Sequence, residues 1–284
     1  MKLLGLGDSV MDAYLFQDLW YPGGNAVNTA VLARRAGAQQ TGYLGLLADD
    51  APGLHFQKAL AAEGVDLFRT RIGHGKTSCN YITLTPDGDR QFTGNNGCDT
   101  VQNAFQLQLN LNDRAYIAGF DVTHTSIHSL LDDALPALAA HTALSMDFSS
   151  DGFTHVNVAR LAPLLRFAFF SAGCRTPEEV RSFAAYAAAQ GVPTVVFTCG
   201  GKGAYILDHG TAYEQPAAPA PDLIDTLGAG DAFIAAFLVR YTDTGGDVPE
   251  SARYAAEFAA QNCGHYGAFG RPYRPGEDEM SPGK

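Results

Sequence analysis

Seven consecutive residues, Asp225-Thr226-Leu227-Gly228-Ala229-Gly230-Asp231, carry a glycine-rich turn into an apolar, alanine-rich run from Ala232 to Leu238. Gly228 and Gly230 let backbone N–H groups converge with no side chain in the way. They converge where a following helix is positive, which makes the turn a ready anion site. Asp231 falls in the first helical turn beside it. A carboxylate there serves either as a helix-capping group or as a base next to a phosphoryl group in transfer. These residues alone leave both roles open.

Three further segments combine glycine with polar side chains: Pro22-Gly23-Gly24-Asn25-Ala26-Val27-Asn28-Thr29-Ala30, Leu44-Gly45-Leu46-Leu47-Ala48-Asp49-Asp50-Ala51-Pro52-Gly53 and Thr198-Cys199-Gly200-Gly201-Lys202-Gly203-Ala204. Gly201-Lys202-Gly203 is not a P-loop, because Gly203 stands where Ser or Thr would hold magnesium. Gly5-Leu6-Gly7 is not a dinucleotide fingerprint, because Val10 stands at the third glycine. His124 and His128 have the spacing of a helical zinc pair, but Val122–Ile127 reads as a strand, where they would lie about 13 Å apart.

Elements that position these residues follow from periodicity. Leu3–Gly7, Thr41–Leu46, Val122–Ile127, Ala143–Asp147, Phe167–Phe170 and Thr194–Thr198 read as strands; Asn25–Ala36, Leu54–Glu63, Leu130–Ala140, Val156–Leu165, Pro177–Gln190, Ala232–Tyr241 and Pro249–Cys263 read as helices. Such alternation predicts an α/β fold, with a mostly parallel central sheet and helices on both faces. Ligands in such sheets bind at the carboxyl ends of strands, which Asp8, Asp147 and Thr198 close. The stretch from Asp66 to Asn96 differs. It alternates polar and apolar residues and turns at Pro86-Asp87-Gly88-Asp89, as a hairpin does.

With 284 residues and 46% hydrophobic composition, the chain suits one large α/β domain with a small appendage. A net charge of −11 argues against nucleic acid or anionic membrane as partner. No apolar run approaches the roughly 18 residues of a membrane helix. Cys79, Cys98, Cys174, Cys199 and Cys263 form no C-x-x-C pair, which predicts reduced thiols and a cytoplasmic location. The N-terminus reads as a buried strand rather than a signal peptide. Residues 271–284, rich in Pro, Gly and charge, read as a disordered tail.

The four glycine segments, in this order over positions 1 to about 270, resemble the motifs of the ribokinase-like (pfkB) family of carbohydrate and nucleoside kinases. Within it the chain most resembles the fructoselysine 6-kinase branch. Gly7-Asp8-Ser9-Val10-Met11-Asp12-Ala13-Tyr14, Met146-Asp147-Phe148-Ser149-Ser150-Asp151 and Arg166-Phe167-Ala168-Phe169-Phe170-Ser171-Ala172 carry that likeness. The resemblance implies transfer of the γ-phosphate of ATP to a primary hydroxyl of a ketose-type sugar, a fructosamine first and fructose, another sugar or a nucleoside next. Asp231 would be the base, with the N–H groups of Gly228, Ala229 and Gly230 around the moving charge. Asp8, Asp12, Gly24, Asn25 and Asn28 would meet the sugar, and Arg90 a carboxylate or phosphate. Thr198, Gly200 and Gly203 would join Gly228 and Gly230 at the nucleotide.

Metal binding is the point of departure. The family's N-x-x-E, which organises Mg2+ through water, is replaced by Ser171-Ala172-Gly173-Cys174. Either Glu178 substitutes or the ion relies on phosphate and water. Backbone carbonyls at Asp225 and near Gly264–Gly270 would suit K+. The resemblance also makes residues 11–20 and 66–96 a small β-sheet lid, and implies a homodimer that covers its exposed edges and the apolar Tyr81, Ile82 and Leu84. Loss of N-x-x-E leaves a different class in play, a non-catalytic sugar-binding regulator on a kinase scaffold, which the intact glycine turn and Asp231 oppose.

Overall fold

The computed structural model describes residues 1–84, 90–150, 152 and 154–276, with the side chains of Leu84 and Arg90 outside that set. The central sheet runs β14 (Thr211–Gln215), β13 (Ala204–Asp208), β12 (Thr194–Thr198), β11 (Phe167–Ser171), β10 (Ala143–Asp147), β9 (Val122–Ser126), β1 (Lys2–Gly7), β4 (Gln40–Ala48) and β5 (Val65–Asp66), with β6 (Arg71–Gly73) also on β4. From β12 through β5 every pairing is parallel, and β13 and β14 turn antiparallel at one edge. Such strands are covered on both faces. One face packs α1 (Asn25–Arg35), α2 (Ala51–Ala62), α8 (Ala229–Asp243) and α9 (Val248–Asn262) against Leu3, Phe167, Phe169 and Val196. The other packs α4 (Leu111–Ile117), α5 (Leu135–Leu138), α6 (His155–Leu161) and α7 (Pro177–Ala189) against Leu4, Leu6, Phe170 and Phe197. Alternate residues of β1 and β11 thus serve opposite cores, as a two-residue period requires.

Helix α1 comes unusually close to the sheet. A Cβ at Gly5 would lie 2.1 Å from the carbonyl oxygen of Ala26, so only glycine permits this seat. Helix α8 is buried almost all round from Ala232 to Val239, lying against α1, α9 and the sheet.

Four strands form the separate lid, in the order β3 (Leu19–Gly23), β2 (Val10–Tyr14), β7 (Cys79–Leu84) and β8 (Arg90–Asn95). The expected lid segment is therefore trimmed. Residues 65–73 belong to the central sheet, through β5 and β6, and α3 (Val101–Ala104) follows the lid. Ile82 is fully buried against Tyr14 and Tyr21 rather than exposed. The turn at 86–89 lies outside the described residues.

Two further expectations are corrected. No helix spans Leu130–Ala140. Leu130 has φ 54°, and Pro136, which has no N–H to donate, sits in the first turn of the four-residue α5. Nor is the tail free from its first residue. Tyr273 is buried and exchanges backbone hydrogen bonds with Trp20 of β3 at 2.7 and 2.8 Å, its ring edge-on to the indole. Residues 277–284 lie outside the described set.

Candidate active site

Two helix N-termini meet at the carboxyl ends of the strands. Helix α8 starts from Gly228 (φ 77°) and α1 from Gly24 (φ 101°), N-cap residues that supply no capping side chain of their own. Asp231 is the third residue of α8. Its two oxygens each accept an amide hydrogen, Oδ1 from Asn25 at 2.7 Å and Oδ2 from Asn28 at 2.7 Å. Asn25 opens α1 and Asn28 lies one turn on, so one helix presents both amides to one carboxylate. Burial, with the Asp8 carboxylate nearby, raises the Asp231 carboxyl from 3.8 to about 6, against the lowering effect of the two amides. Above that pH it is an ionised acceptor with two donors already aligned.

A second carboxylate joins it. Asp147, closing β10, accepts the other hydrogen of the Asn25 amide at 2.9 Å. Burial and the charge of Asp231 push its carboxyl up to about 7, opposed by the Ser149 N–H that it accepts at 2.8 Å. Asp8 caps α1 from outside, accepting the Asn25 N–H at 2.6 Å and the hydroxyls of Ser126 and Ser129 at 2.8 and 2.7 Å. A negative group there also faces the positive end of α1. Asp8 thereby builds the floor under Asn25, and Asn25 is not the N-cap.

Asp231 and Asp147 line a cavity of about 400 Å³ with Gly228, Gly230, Thr226 and, from the lid, Phe92. A second hollow of about 480 Å³ adjoins it, sharing Ser171, Thr198, Thr226 and Gly230. This slot is walled by small or apolar residues, among them Ala218, Leu223, Phe233 and Ala256, and floored by Gly200, Gly201 and Gly203. The two glycines of the D-T-L-G-A-G-D turn do different work. A Cβ on Gly228 would strike Ala268 at 2.5 Å, while one on Gly230 would meet nothing within 4 Å and would enter the hollow. The Ala229 N–H is turned to the Thr226 carbonyl at 3.2 Å, leaving those of Gly228 and Gly230 without an internal acceptor among the described residues. An apolar slot, a glycine turn with N–H groups left unpaired and a buried carboxylate adjoin one another, groups whose chemistry could serve phosphoryl transfer.

The model of the pfkB family carbohydrate kinases matches residues 16–272. The chain belongs to the pfkB family of carbohydrate kinases. It is 39% identical over 276 residues to fructosamine kinase FrlD of Bacillus subtilis, covering 96% of this chain and 95% of the relative. To fructoselysine 6-kinase of Escherichia coli it is 34% identical over 271 residues, covering 95% and 100%. Among solved structures, Arabidopsis thaliana ribokinase complexed with ribose and ATP superposes with a TM-score of 0.80 at 21% identity, over 94% of each chain, which shows the shared fold. As a pfkB-family member the protein is a carbohydrate phosphotransferase.

Other predicted residues of this kinase fall as follows. Asp12 is buried on β2 of the lid, 3.5 Å from the Asn80 amide. A Cβ on Gly24 would lie 2.8 Å from the Asp8 carbonyl oxygen, so glycine there serves chain approach. Arg90 starts β8, its side chain outside the described residues. Lys202 is exposed and lines neither cavity. Glu178 pairs with Arg181 at 3.1 Å on the exposed side of α7, and is absent from both cavity walls. Asp225 is buried, and its carboxylate accepts hydrogen bonds from the Tyr14 hydroxyl of the lid and from the N–H groups of Leu227 and Gly267 at 2.9 Å each. It thereby ties lid, glycine turn and C-terminal loop together.

Sequence reasoning placed Asp147 at a strand end but gave it no role, and it weighed His124 only as half of a zinc pair, not as a partner of the site. Their partners in the site are 122 and 99 residues away in sequence, so no local spacing announces them.

Proposed function

We propose that this pfkB-family kinase transfers the γ-phosphate of ATP to the 6-hydroxyl of a fructosamine, fructoselysine being the leading candidate. The observation that carries the substrate class is near-full-length similarity to two relatives named for fructosamines. The site supports the chemistry. A sugar hydroxyl is a poor nucleophile at neutral pH, and Asp231, ionised above about pH 6, accepts its proton as the new P–O bond forms. The N–H groups of Gly228 and Gly230 and the N-terminus of α8 stabilise charge on the transferred group. Apolar walls of the neighbouring slot suit a purine, and Thr198 with Gly200 and Gly203 brings the backbone close to it. Among the described residues no group of three His, Cys, Asp or Glu side chains is placed to hold a metal ion. That fits a magnesium ion held through phosphate oxygens and water, with Asp147 and Asp231 the carboxylates on the cavity wall.

The test is an ADP-release assay over fructoselysine, other fructosamines, fructose, ribose and adenosine. Fructoselysine should exceed fructose in kcat/KM by at least about tenfold, equivalent to roughly 1.4 kcal/mol of transition-state binding. A win for fructose or adenosine rejects the substrate assignment within the family. Absence of ADP release with every acceptor favours a sugar-binding regulator instead.

A further inference from the structure

His124 sits in the middle of β9 and is completely buried, with Ser145 beside it on β10 equally so. On its other side the strand partner is Gly5, whose missing side chain lets α1 settle onto the sheet. That seat brings Asn25 within reach. His124 Nε2 lies 2.8 Å from Asn25 Oδ1, and Nδ1 lies 2.8 Å from Ser145 Oγ. The ring of Phe169 closes the edge-on contact, 6.2 Å between centroids.

Hydrogen-bond chemistry fixes every proton in this row. Both hydrogens of the Asn25 amide are committed, one to Asp231 and one to Asp147. Asn25 Oδ1 must therefore accept, so His124 Nε2 carries the proton and donates it. Nδ1 is then the acceptor, and the Ser145 hydroxyl donates to it. Burial keeps the imidazole neutral by lowering its pKa to about 3, so its own protonation is unchanged across the physiological range. Were the Asn25 amide to turn over, its oxygen would face two carboxylates and its nitrogen would face an N–H donor. The two carboxylates thus exclude the turned-over amide, and His124 completes the set by donating its Nε2–H to the amide oxygen that faces it.

We infer that His124 is a positioning residue for phosphoryl transfer: with Ser145 it locks the Asn25 amide in the one orientation that holds Asp231 and Asp147 side by side. This inference rests on Asp231 being the base. It assigns a task to a buried group that lines neither cavity. Charged neighbours of the row are the three carboxylates around Asn25, those of Asp8, Asp147 and Asp231.

Three measurements on the full chain test it. His124→Phe keeps a ring but no polar atom, so kcat should fall at least about tenfold, the rate equivalent of one lost buried hydrogen bond, with KM for ATP within about twofold. Because the Asn25 amide lowers the Asp231 pKa, its release should also move the acid limb of the pH–rate profile to higher pH. His124→Gln can still donate to Asn25 and accept from Ser145, and should keep kcat within about threefold of wild type. Equal losses in both variants, or an unaltered kcat and acid limb in His124→Phe, overturn the proposal. Should the phenylalanine variant fail to fold, nitrogen-15 NMR of the wild-type imidazoles decides. An Nε2–H tautomer that does not titrate between pH 5 and 8 supports the lock, and an Nδ1–H or titrating His124 refutes it. The spectrum is independent of turnover, so an inactive wild type would reject the kinase assignment without touching the tautomer.

Discussion

Replacing Asp231 with asparagine should abolish phosphoryl transfer and, at the same time, raise stability. The amide is nearly isosteric but cannot take the hydroxyl proton, and loss of a general base costs about 10²–10⁴ in turnover. Accommodation is available in the structure. Asn28 Oδ1 is buried with no hydrogen-bond partner. Turning the Asn28 amide over lets that oxygen accept from the new side-chain N–H, while Asn25 still donates to the new oxygen. The stability gain follows from linkage. A carboxyl raised from 3.8 to about 6 on folding favours the protonated form, so the folded state loses stability as pH rises from about 4 to 6 and recovers none above. At pH 7.5 the ionised group costs at most about 3 kcal/mol, which the amide removes; at pH 5 the difference is about half that. The assay pairs ADP release on fructoselysine with thermal melts at both pH values. Turnover within about threefold of wild type would refute the base assignment. A melting temperature below wild type at pH 7.5, or a gain as large at pH 5, would refute the electrostatic account.

Gly230→Val should fold normally yet lose nucleotide affinity and turnover, because its side chain enters the hollow; Gly228→Val should lower stability by at least about 2 kcal/mol, being strained at φ 77° and pressed on Ala268. Melts and calorimetric titration with ATP separate the two, and identical behaviour would show that the glycines do not divide the work. For the wild type, kcat/KM should rise with pH through a midpoint near 6 and then level, as Asp231 ionises; a profile flat from pH 5 to 8 would contradict this. Among the described residues strand β8 has no strand partner beyond β7, and Leu15, Phe16 and Phe92 are exposed, so a homodimer formed through the lid is expected. Light scattering that returns the mass of one chain at micromolar concentration would exclude it.

What the sequence disclosed follows the range of each interaction. D-T-L-G-A-G-D and P-G-G-N-A-V-N could be read because the glycine turn, Asp231 and the Asn25 and Asn28 amides that hold it each lie within a few residues of a helix start, where spacing sets geometry. Strands Ala143–Asp147 and Thr194–Thr198 begin and end where their apolar runs do. The Asp147–Asn25–His124 row was hidden because it is assembled across α1, β9 and β10. The β13–β14 hairpin had a usable signal that went unread: His209-Gly210, both at positive φ, between alternating runs. Helix α4 had one too, the Asn110/Asp113 capping box. The error at Leu130–Ala140 came from counting apolar residues without letting Pro136 interrupt them. That for Ile82 came from taking lid strands as solvent-facing, when Tyr14 and Tyr21 give this one an interior of its own.

Gly5 lies beneath the active site and touches no wall of either cavity. A single methyl group there would press on the Ala26 carbonyl and lift the start of α1, carrying Asn25 and Asn28 away from Asp231 together. Mutational tolerance in this enzyme will therefore not fall off with distance from the sugar. Libraries meant to change acceptor preference must spare position 5, where a conservative-looking alanine would silence every member that carries it.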